Sequence, residues 1–173
     1  PAPPATTTEP ASQVVDAGTD VTLSVTATGA LSYQWKKNGL ALTGATTGVL
    51  VIANAQLSDA GNYTVDVANA GGTTTSAAAV LTVNAIAPSI ATQPAAQTVM
   101  IGAPASFSVA ATGTASFTYQ WQKDGTDIPG ATLSSYAIDA TTLADIAQYR
   151  VVVTGPGGTI TSAPSGTASR EVP

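Results

Sequence analysis

The chain contains one internal repeat, and this repeat constrains its fold more than any other feature of the sequence. The segment LSYQWKKNG at positions 31–39 matches FTYQWQKDG at positions 117–125, 86 residues later, and Tyr63 matches Tyr149 at the same offset. Stacked solenoid repeats have shorter units, of about 20–50 residues. The sequence therefore predicts two homologous domains in tandem.

The opening of the chain differs in composition from the two repeats. Residues 1–10, PAPPATTTEP, are rich in Pro and Thr, a composition typical of extended linkers. We therefore divide the sequence into an extended segment at 1–10, a first domain at 11–85 and a second domain at 86–173.

Each copy shows an alternation of apolar and polar residues, the pattern of strands with one buried and one solvated face. In the first copy Val21, Leu23 and Val25 alternate with Thr and Ser, and segments beginning at Leu50 and Tyr63 continue the pattern. Gly, Asn and Asp separate these segments as turns. The pattern predicts an all-β fold with about seven strands per copy, arranged as two tandem antiparallel β-sandwiches.

The absence of two residue types limits the chemistry that the chain can perform. The sequence has no Cys and no His, and 9% of its residues are charged, compared with about 25% in an average protein. Disulfides, thiol or histidine catalysis and Cys/His zinc sites are therefore excluded. The net charge of −5 argues against nucleic acid, whose phosphates require clustered Lys and Arg. With Cys and His absent, we expect no cofactor and no metal. No apolar run reaches the ~20 residues of a membrane helix, so we also expect no membrane insertion.

Two motifs occur in both copies and resemble those of immunoglobulin-like domains, in the intermediate-set style common in bacterial cell-surface proteins. The family places a Trp on its strand C, which Trp35 and Trp121 match, and a Tyr in an Asp-x-Gly-x-Tyr corner. Segment 59–63, DAGNY, matches this corner fully, whereas segment 145–149, DIAQY, lacks the Gly. The resemblance covers nearly the whole chain and implies an immunoglobulin-like sandwich for each copy.

The resemblance also implies a core without the family's disulfide. Val occupies the four positions where the family has its paired cysteines, and packing against the Trp then replaces a cross-link worth roughly 2–4 kcal/mol. The predicted core residues are Val25, Trp35, Tyr63, Val65, Val109, Trp121, Tyr149 and Val151.

The aromatic residues are the first candidates for ligand binding, because a carbohydrate-binding module needs exposed aromatic side chains. Tyr33 shares a strand face with Trp35, and the resemblance places that face inward. We expect most aromatic side chains in the cores. A carbohydrate-binding module would require exposure among Phe117, Tyr119 and Tyr136.

The carboxylates form no convincing catalytic pair. Asp59 and Asp145 precede the corner tyrosines, where a short side chain accepts hydrogen bonds from turn amides. Asp124 and Asp127 flank a turn that lacks an enclosing pocket. We therefore predict that the chain is not an enzyme.

Three side chains are candidates for glycosylation. Asn62 begins an Asn-x-Thr sequon, which the corner motif also explains without any sugar. Thr7 and Thr74 lie in Thr runs of the kind that carry O-linked glycans on surface stalks.

The two copies differ at their last strand. Segment 79–83, AVLTV, corresponds to segment 165–169, SGTAS, which follows Pro164. One interpretation is a frayed or shortened strand. The other is an open edge that a second chain completes by strand addition, with residues 11–15 as the donor. The candidate assembly edge consists of Thr159, Thr161 and Thr167.

These observations favour an extracellular structural or adhesive module of a bacterial surface or secreted protein. Its polarity comes from Thr, Ser, Gln and Asn, which is typical of extracellular proteins, and the lack of Cys favours a bacterial source. Such a module would space or display other parts through protein–protein contacts. Two alternatives remain: a subunit of a surface filament or sheath assembled by strand addition, and an accessory carbohydrate-binding module of a secreted enzyme. The expected partners are proteins or further copies of the chain, with carbohydrate as the alternative ligand.

Overall fold

The computed structural model describes residues 1–170 and divides the chain into two compact units, Pro1–Asn84 and Ala85–Pro173. Each unit is a β-sandwich, and no α-helix occurs among the described residues. The predicted all-β class and the predicted tandem of two immunoglobulin-like sandwiches are confirmed.

The first domain contains ten strands, because several of the expected strands are divided by irregularities. The alternating sequence pattern produces the expected faces: in β3, for example, Val21 and Leu23 are buried while Thr22 and Ser24 are exposed. The strands are β1 (Ala5–Thr8), β2 (Gln13–Asp16), β3 (Val21–Ser24), β4 (Thr26–Thr28), β5 (Ser32–Lys37), β6 (Leu40–Ala41), β7 (Val49–Ile52), β8 (Gly61–Asn69), β9 (Gly72–Thr75) and β10 (Ala79–Asn84).

The second domain repeats this order. Its strands are β11 (Ser89–Thr92), β12 (Gln97–Met100), β13 (Ala105–Ser108), β14 (Ala110–Thr112), β15 (Thr118–Lys123), β16 (Thr126–Asp127), β17 (Ser135–Ile138), β18 (Gln148–Gly155), β19 (Gly158–Thr161) and β20 (Ser165–Arg170).

The strands form the same two layers in each domain. In the first, a large sheet has the order β2-β10-β8-β5-β6, with β9 also paired to β8, and the pairs β1–β4 and β3–β7 form the other layer. In the second, the large sheet has the order β12-β20-β18-β15-β16, with β19 paired to β18 and the pairs β11–β14 and β13–β17 opposite. Neighbouring strands are antiparallel except for β2 with β10 and β12 with β20, which are parallel.

The core of the first domain is centred on Trp35, which is fully buried. Trp35 lies opposite Val65 on the neighbouring strand β8, and its indole Nε1 donates to the carbonyl oxygen of Thr47 at 2.9 Å. Leu23 and Leu81 are also buried in this cluster. Because the one polar atom of the indole has a partner, the ring can be buried without an unpaired donor.

The core of the second domain contains more aromatic side chains. Trp121 is again fully buried, with its Nε1 donating to the carbonyl oxygen of Leu133 at 2.9 Å. The ring of Phe107 stacks on that of Tyr149 with their centres 4.8 Å apart, and Tyr136 lies 5.9 Å from Tyr149. Offset stacking at such distances adds to the stabilisation that burial itself provides.

The first ten residues are part of the first sandwich, so the prediction of a separate extended linker is corrected here. β1 pairs antiparallel with β4, with Ala5 opposite Thr28. Pro4 and Pro10 on either side of β1 are buried. Pro and Thr are compatible both with a linker and with an edge strand, and composition alone does not distinguish the two.

A buried serine lies in each domain between its two last strands, which a short break separates: β9 and β10 in the first domain, β19 and β20 in the second. In the first domain, between β9 and β10, the hydroxyl of Ser76 accepts from the backbone N–H of Val65 at 3.0 Å and donates to the carbonyl oxygen of Ala77. In the second domain Ser162 accepts from Val151 N–H at 3.0 Å. The hydroxyl replaces the missing backbone partner, so no buried N–H is left unpaired.

We expect Ser76→Ala to lower the free energy of unfolding of the first domain by about 1–3 kcal/mol, because it leaves the Val65 N–H buried without an acceptor. Urea denaturation measures this loss, and hydrogen exchange at the Val65 amide should become faster. Ser24→Ala, on the exposed face of β3, is the control and should change stability by less than about 0.5 kcal/mol. Equal effects of the two substitutions would contradict this role of Ser76.

Candidate functional site

The first and last strands of each large sheet lie side by side and run parallel. In the first domain Gln13–Asp16 of β2 pair with Leu81–Asn84 of β10. In the second domain Gln97–Met100 of β12 pair with Thr167–Arg170 of β20. We call these two pairings the terminal-strand ladders, because each joins the first and the last strand of its large sheet.

Hydrogen bonds extend the first terminal-strand ladder at both ends. The N–H of Val80 donates to the hydroxyl oxygen of Ser12 at 2.9 Å, and the N–H of Ala17 donates to the carbonyl oxygen of Asn84 at 2.9 Å. Val15 in β2 packs against the core. The ladder is therefore held both by backbone hydrogen bonds and by burial.

A side chain from the beginning of each domain also binds the break in its last strand. A carboxylate oxygen of Glu9 accepts from the N–H of Ala77 at 2.8 Å. The amide oxygen of Gln93 accepts from the N–H of Ala163 at 2.9 Å. These contacts satisfy backbone donors that the broken strand leaves unpaired.

The beginning of each domain passes very close to the turn that precedes β9 or β19. A Cβ atom on Gly71 would lie 2.2 Å from the carbonyl oxygen of Pro1, and a Cβ atom on Gly157 would lie 2.5 Å from that of Ile86. Only glycine permits such an approach. The leading segment of each domain is thus packed against the turn in the same way.

The residues of the candidate assembly edge all lie in strands that pair within their own domain. Thr159 and Thr161 are exposed, but they lie in β19 and pair with β18 of the same domain. Thr167 is buried in β20, between β12 and β18. The predicted strand donor, residues 11–15, contributes to β2 of its own domain.

The last strand of the second domain forms because its polar side chains find partners within the domain. The hydroxyl of Thr167 donates to the carbonyl oxygen of Asp145, and it accepts from the N–H of Ala147 at 3.3 Å. The hydroxyl of Ser165 donates to the carbonyl oxygen of Tyr149 at 3.3 Å. The described part of β20 is therefore paired rather than frayed, and Thr167 does not lie at an open edge.

The corner motif of the first domain is built as its sequence indicates. The hydroxyl of Tyr63 donates to the carbonyl oxygen of Asp59 at 2.7 Å, and the carboxylate of Asp59 accepts from the N–H of Gln56 at 2.8 Å. Burial of the ring raises the pKa of Tyr63, and the nearby Asp59 carboxylate raises it further.

The corner of the second domain uses more polar contacts. Tyr149 donates to the carbonyl oxygen of Asp145 at 3.3 Å. The Asp145 carboxylate accepts from the backbone N–H of Thr142 at 2.9 Å and from its hydroxyl at 2.8 Å, and it pairs with the Lys123 ammonium at 3.2 Å. The bonds from Thr142 and then the charge of Lys123 lower the pKa of Asp145 below its ordinary value.

All eight predicted core residues lie in the interiors of the two sandwiches. The four valines that stand where the family has cysteines are at most 8% exposed, and the remaining residues are at most 2% exposed. The buried set comprises Val25, Trp35, Tyr63, Val65, Val109, Trp121, Tyr149 and Val151.

The candidate glycosylation residues differ in their accessibility. Asn62 and Thr7 are exposed. Thr74 is half-buried, and its hydroxyl donates to the carbonyl oxygen of Pro4 at 2.6 Å. A glycan on Thr74 would remove this hydrogen bond. Glycosylation of Asn62 and Thr7 remains a proposal.

The aromatic residues on which the carbohydrate alternative depends are half-buried. Phe117, Tyr119 and Tyr136 all pack against the core of the second domain. A depression of about 260 Å³ lies beside Tyr136 and has the exposed Leu133 on its rim. The depression has an apolar lining but no freely exposed aromatic face.

Two paired glutamines were not identified from the sequence. Gln34 donates from Nε2 to the carbonyl oxygen of Leu42 at 2.8 Å, and Gln120 donates in the same way to Ile128 at 2.8 Å. Both residues stand immediately before the core tryptophans and tie strand β5 or β15 to the segment after the next hairpin. Their recurrence at the same position of the two copies is the sequence feature that could have identified them.

Within residues 1–170, no three acidic side chains lie close enough together to hold a metal ion. The same described part of the chain has no helix that could span a membrane.

The stability of the second domain should depend on the charge of Asp145. Its pKa is lower in the folded than in the unfolded chain, so its contribution is complete above the ordinary pKa and is lost as the pH falls through the folded value. We expect Asp145→Asn to be less stable than the native chain at neutral pH. The difference in free energy of unfolding should shrink as the pH falls below the ordinary pKa of an aspartate and through the lower folded value, as urea denaturation at each pH would show. Asp139→Asn, on the exposed surface of the same domain, is the control; a difference for Asp145→Asn that does not vary with pH would contradict the prediction.

Comparison with known proteins places this architecture in a family. The sequence profile described as "Immunoglobulin domain" matches residues 3–69. Endoglucanase C of Cellulomonas fimi is 30% identical over 176 residues, which cover 95% of this chain and 16% of the endoglucanase. The chain thus spans less than a fifth of the length of that relative.

Solved structures with two or more immunoglobulin domains have the same fold. The titin domains z1z2 in complex with telethonin superpose with a TM-score of 0.58 at 21% identity, over 98% of this chain and 98% of that one. The N-terminal four Ig domains of Dscam1 isoform 6.9 give a TM-score of 0.58 at 25% identity, over 92% of this chain and 43% of that one. Residues 3–69 therefore match the immunoglobulin domain profile, and the chain as a whole has the fold of two tandem immunoglobulin-like domains without disulfides.

Proposed function

We propose that the chain is a non-catalytic, extracellular module of a bacterial surface or secreted protein, which spaces and displays other parts of that protein through protein–protein contacts. The observation that carries this proposal is the terminal-strand ladder of each domain. The first and the last strand of each large sheet are direct neighbours, and they run parallel.

This geometry suits a module that transmits tension. A pull on the two ends of a domain that is passed on to the large sheet draws these parallel neighbouring strands in opposite directions along their length. The ladder hydrogen bonds are then loaded together in shear, whereas a hairpin pulled at its ends would lose them one at a time. Both domains have the same four-residue parallel register, so both would resist tension in the same manner.

The carboxylates that might have served catalysis have structural partners. Asp124 accepts from the backbone N–H of Gln148 at 2.9 Å, and Asp127 accepts from the side-chain amide of Gln122 at 2.8 Å. These contacts hold the β15–β16 hairpin and support a module without enzymatic activity.

An extracellular setting is supported by how the basic residues are placed. Lys and Arg are cleavage points for many proteases, and four of the five in the chain lie inside paired strands with polar partners. A protease needs an unpaired, extended backbone, which these positions do not offer. The four residues and their partners are Lys36 with Asp66, Lys37 with Ser58, Lys123 with Asp145 and Arg150 with Gln122.

The second candidate function is an accessory carbohydrate-binding module of a secreted enzyme. The similarity to endoglucanase C of Cellulomonas fimi and the depression beside Tyr136 favour it. The half-buried state of Phe117, Tyr119 and Tyr136 counts against it, because sugar rings stack on accessible aromatic faces.

We expect the chain, stretched from its two ends in a force microscope, to unfold in two separate events that each release roughly 250–300 Å of chain. Val15→Pro is the test variant. The Ala17 N–H points toward β10, so the N–H of Val15, two residues earlier, points the same way. Proline has no N–H and therefore removes this donor from the ladder. This variant should lower the force of one event only. The equivalent position in the other domain, Val99, provides the matched variant. Gradual extension without force peaks would contradict the proposed role.

Sedimentation with insoluble cellulose distinguishes the second candidate. A spacing module should remain in the supernatant, as should its Tyr136→Ala variant. If the native chain sedimented with the cellulose and the variant stayed in the supernatant, carbohydrate binding would be the function in place of spacing.

A further inference from the structure

The hairpin between β5 and β6 carries the sequence Asn38-Gly39, and the equivalent hairpin of the second domain carries Asp124-Gly125. Asn38 and Asp124 both have φ of 49°, and the two glycines have φ of 83° and 84°. Successive positive φ values are typical of the tight type I′ turn, which favours Asn-Gly and Asp-Gly. The two turns are therefore the same structure built with an amide in one domain and an acid in the other.

The two side chains also make the same contact. The side-chain Oδ1 of Asn38 accepts from the backbone N–H of Asn62 at 2.9 Å, and Oδ1 of Asp124 accepts from that of Gln148 at 2.9 Å. In both cases the acceptor is an oxygen, which carboxamide and carboxylate share. The structure of the second domain thus shows what an aspartate does at this position.

We propose that Asn38 is a site of spontaneous deamidation, and that the first-domain turn accepts the aspartate product without rearrangement. The backbone nitrogen of Gly39, having lost its proton, attacks Cγ of Asn38. The new N–Cγ bond closes a five-membered imide, the Cγ–Nδ2 bond breaks, and the nitrogen leaves as ammonia with protons from the amide and the solvent. Water then opens the imide. Cleavage of the N–Cγ bond gives aspartate, and cleavage at the main-chain carbonyl gives isoaspartate.

Asn38 differs from the other asparagines in the identity of the next residue. A glycine has no side chain to hinder attack by its nitrogen, and nothing lies within 4 Å of the place where a Cβ atom of Gly39 would stand. Both residues of the pair are exposed, so water and base reach them. The other asparagines are followed by Ala or Tyr, namely Asn54, Asn62, Asn69 and Asn84.

The two products have different consequences for the fold. Aspartate keeps the main chain and can accept from the Asn62 N–H as Asp124 accepts from Gln148, while it adds a negative charge to a chain with a net charge of −5. Isoaspartate routes the main chain through the side-chain carbon and places the free carboxylate elsewhere. It therefore loses both the turn and the contact with Asn62.

Incubation of the folded chain at alkaline pH, followed by peptide mass spectrometry and an isoaspartate-specific methyltransferase assay, tests the proposal. We expect ammonia loss at Asn38 alone, with aspartate and isoaspartate both formed, and no ammonia loss in Asn38→Asp. That variant should unfold at the temperature of the native chain, whereas the isoaspartate fraction should unfold at a lower one. Asp124→Asn transfers the same Asn-Gly pair to the second domain and should create a second site of ammonia loss.

Two results would overturn the proposal. One is deamidation of any other asparagine as fast as Asn38. The other is an intact Asn38 in the folded chain under conditions in which the urea-unfolded chain is converted, because the turn would then protect the residue. A clear drop in the unfolding temperature of Asn38→Asp would overturn the claim that the turn accepts aspartate.

Discussion

Each sandwich depends on the burial of an apolar core, in which the strand C tryptophan lies beside a valine of the neighbouring strand in the same sheet. Trp35 faces Val65 and Trp121 faces Val151, and all four are fully excluded from water. Because the chain has no cysteine, no covalent bond joins the two layers, and burial of apolar surface must hold them together. The polar groups near this contact have partners: among the described residues no buried side-chain polar atom lacks a hydrogen bond.

The position of the terminal strands follows from this core. Once the two layers are fixed, the first strand of each large sheet lies beside its last strand, and side chains such as Glu9 and Gln93 bind the segment between the two last strands of the domain. The break exists in both domains at the same place, with a buried serine in it. Both domains therefore combine an uninterrupted core with a terminal ladder, and this combination supports a spacing role.

Much of the fold could be predicted from the sequence, because buried strands and tight turns leave local patterns. The repeat, the alternation of apolar residues and the corner motif identified both sandwiches and the residues at their centres. The candidate site was less predictable. The role of Thr167 depends on the backbone groups that surround it, and the roles of Ser76 and Gln34 depend on strands that are distant in sequence. Polar side chains of this kind have no characteristic local pattern.

The sequence by itself determined the number of domains and their class, since both follow from periodicity and residue identity, and its resemblance to immunoglobulin-like domains located the valines that replace the expected disulfide. The tertiary structure decided whether particular polar segments would be strands. Pro4 and Pro10 border a strand of the first sandwich, and the polar last strand of the second is paired on both sides. The physical reason is that a strand needs backbone partners more than apolar side chains, and only the assembled sheet supplies those partners.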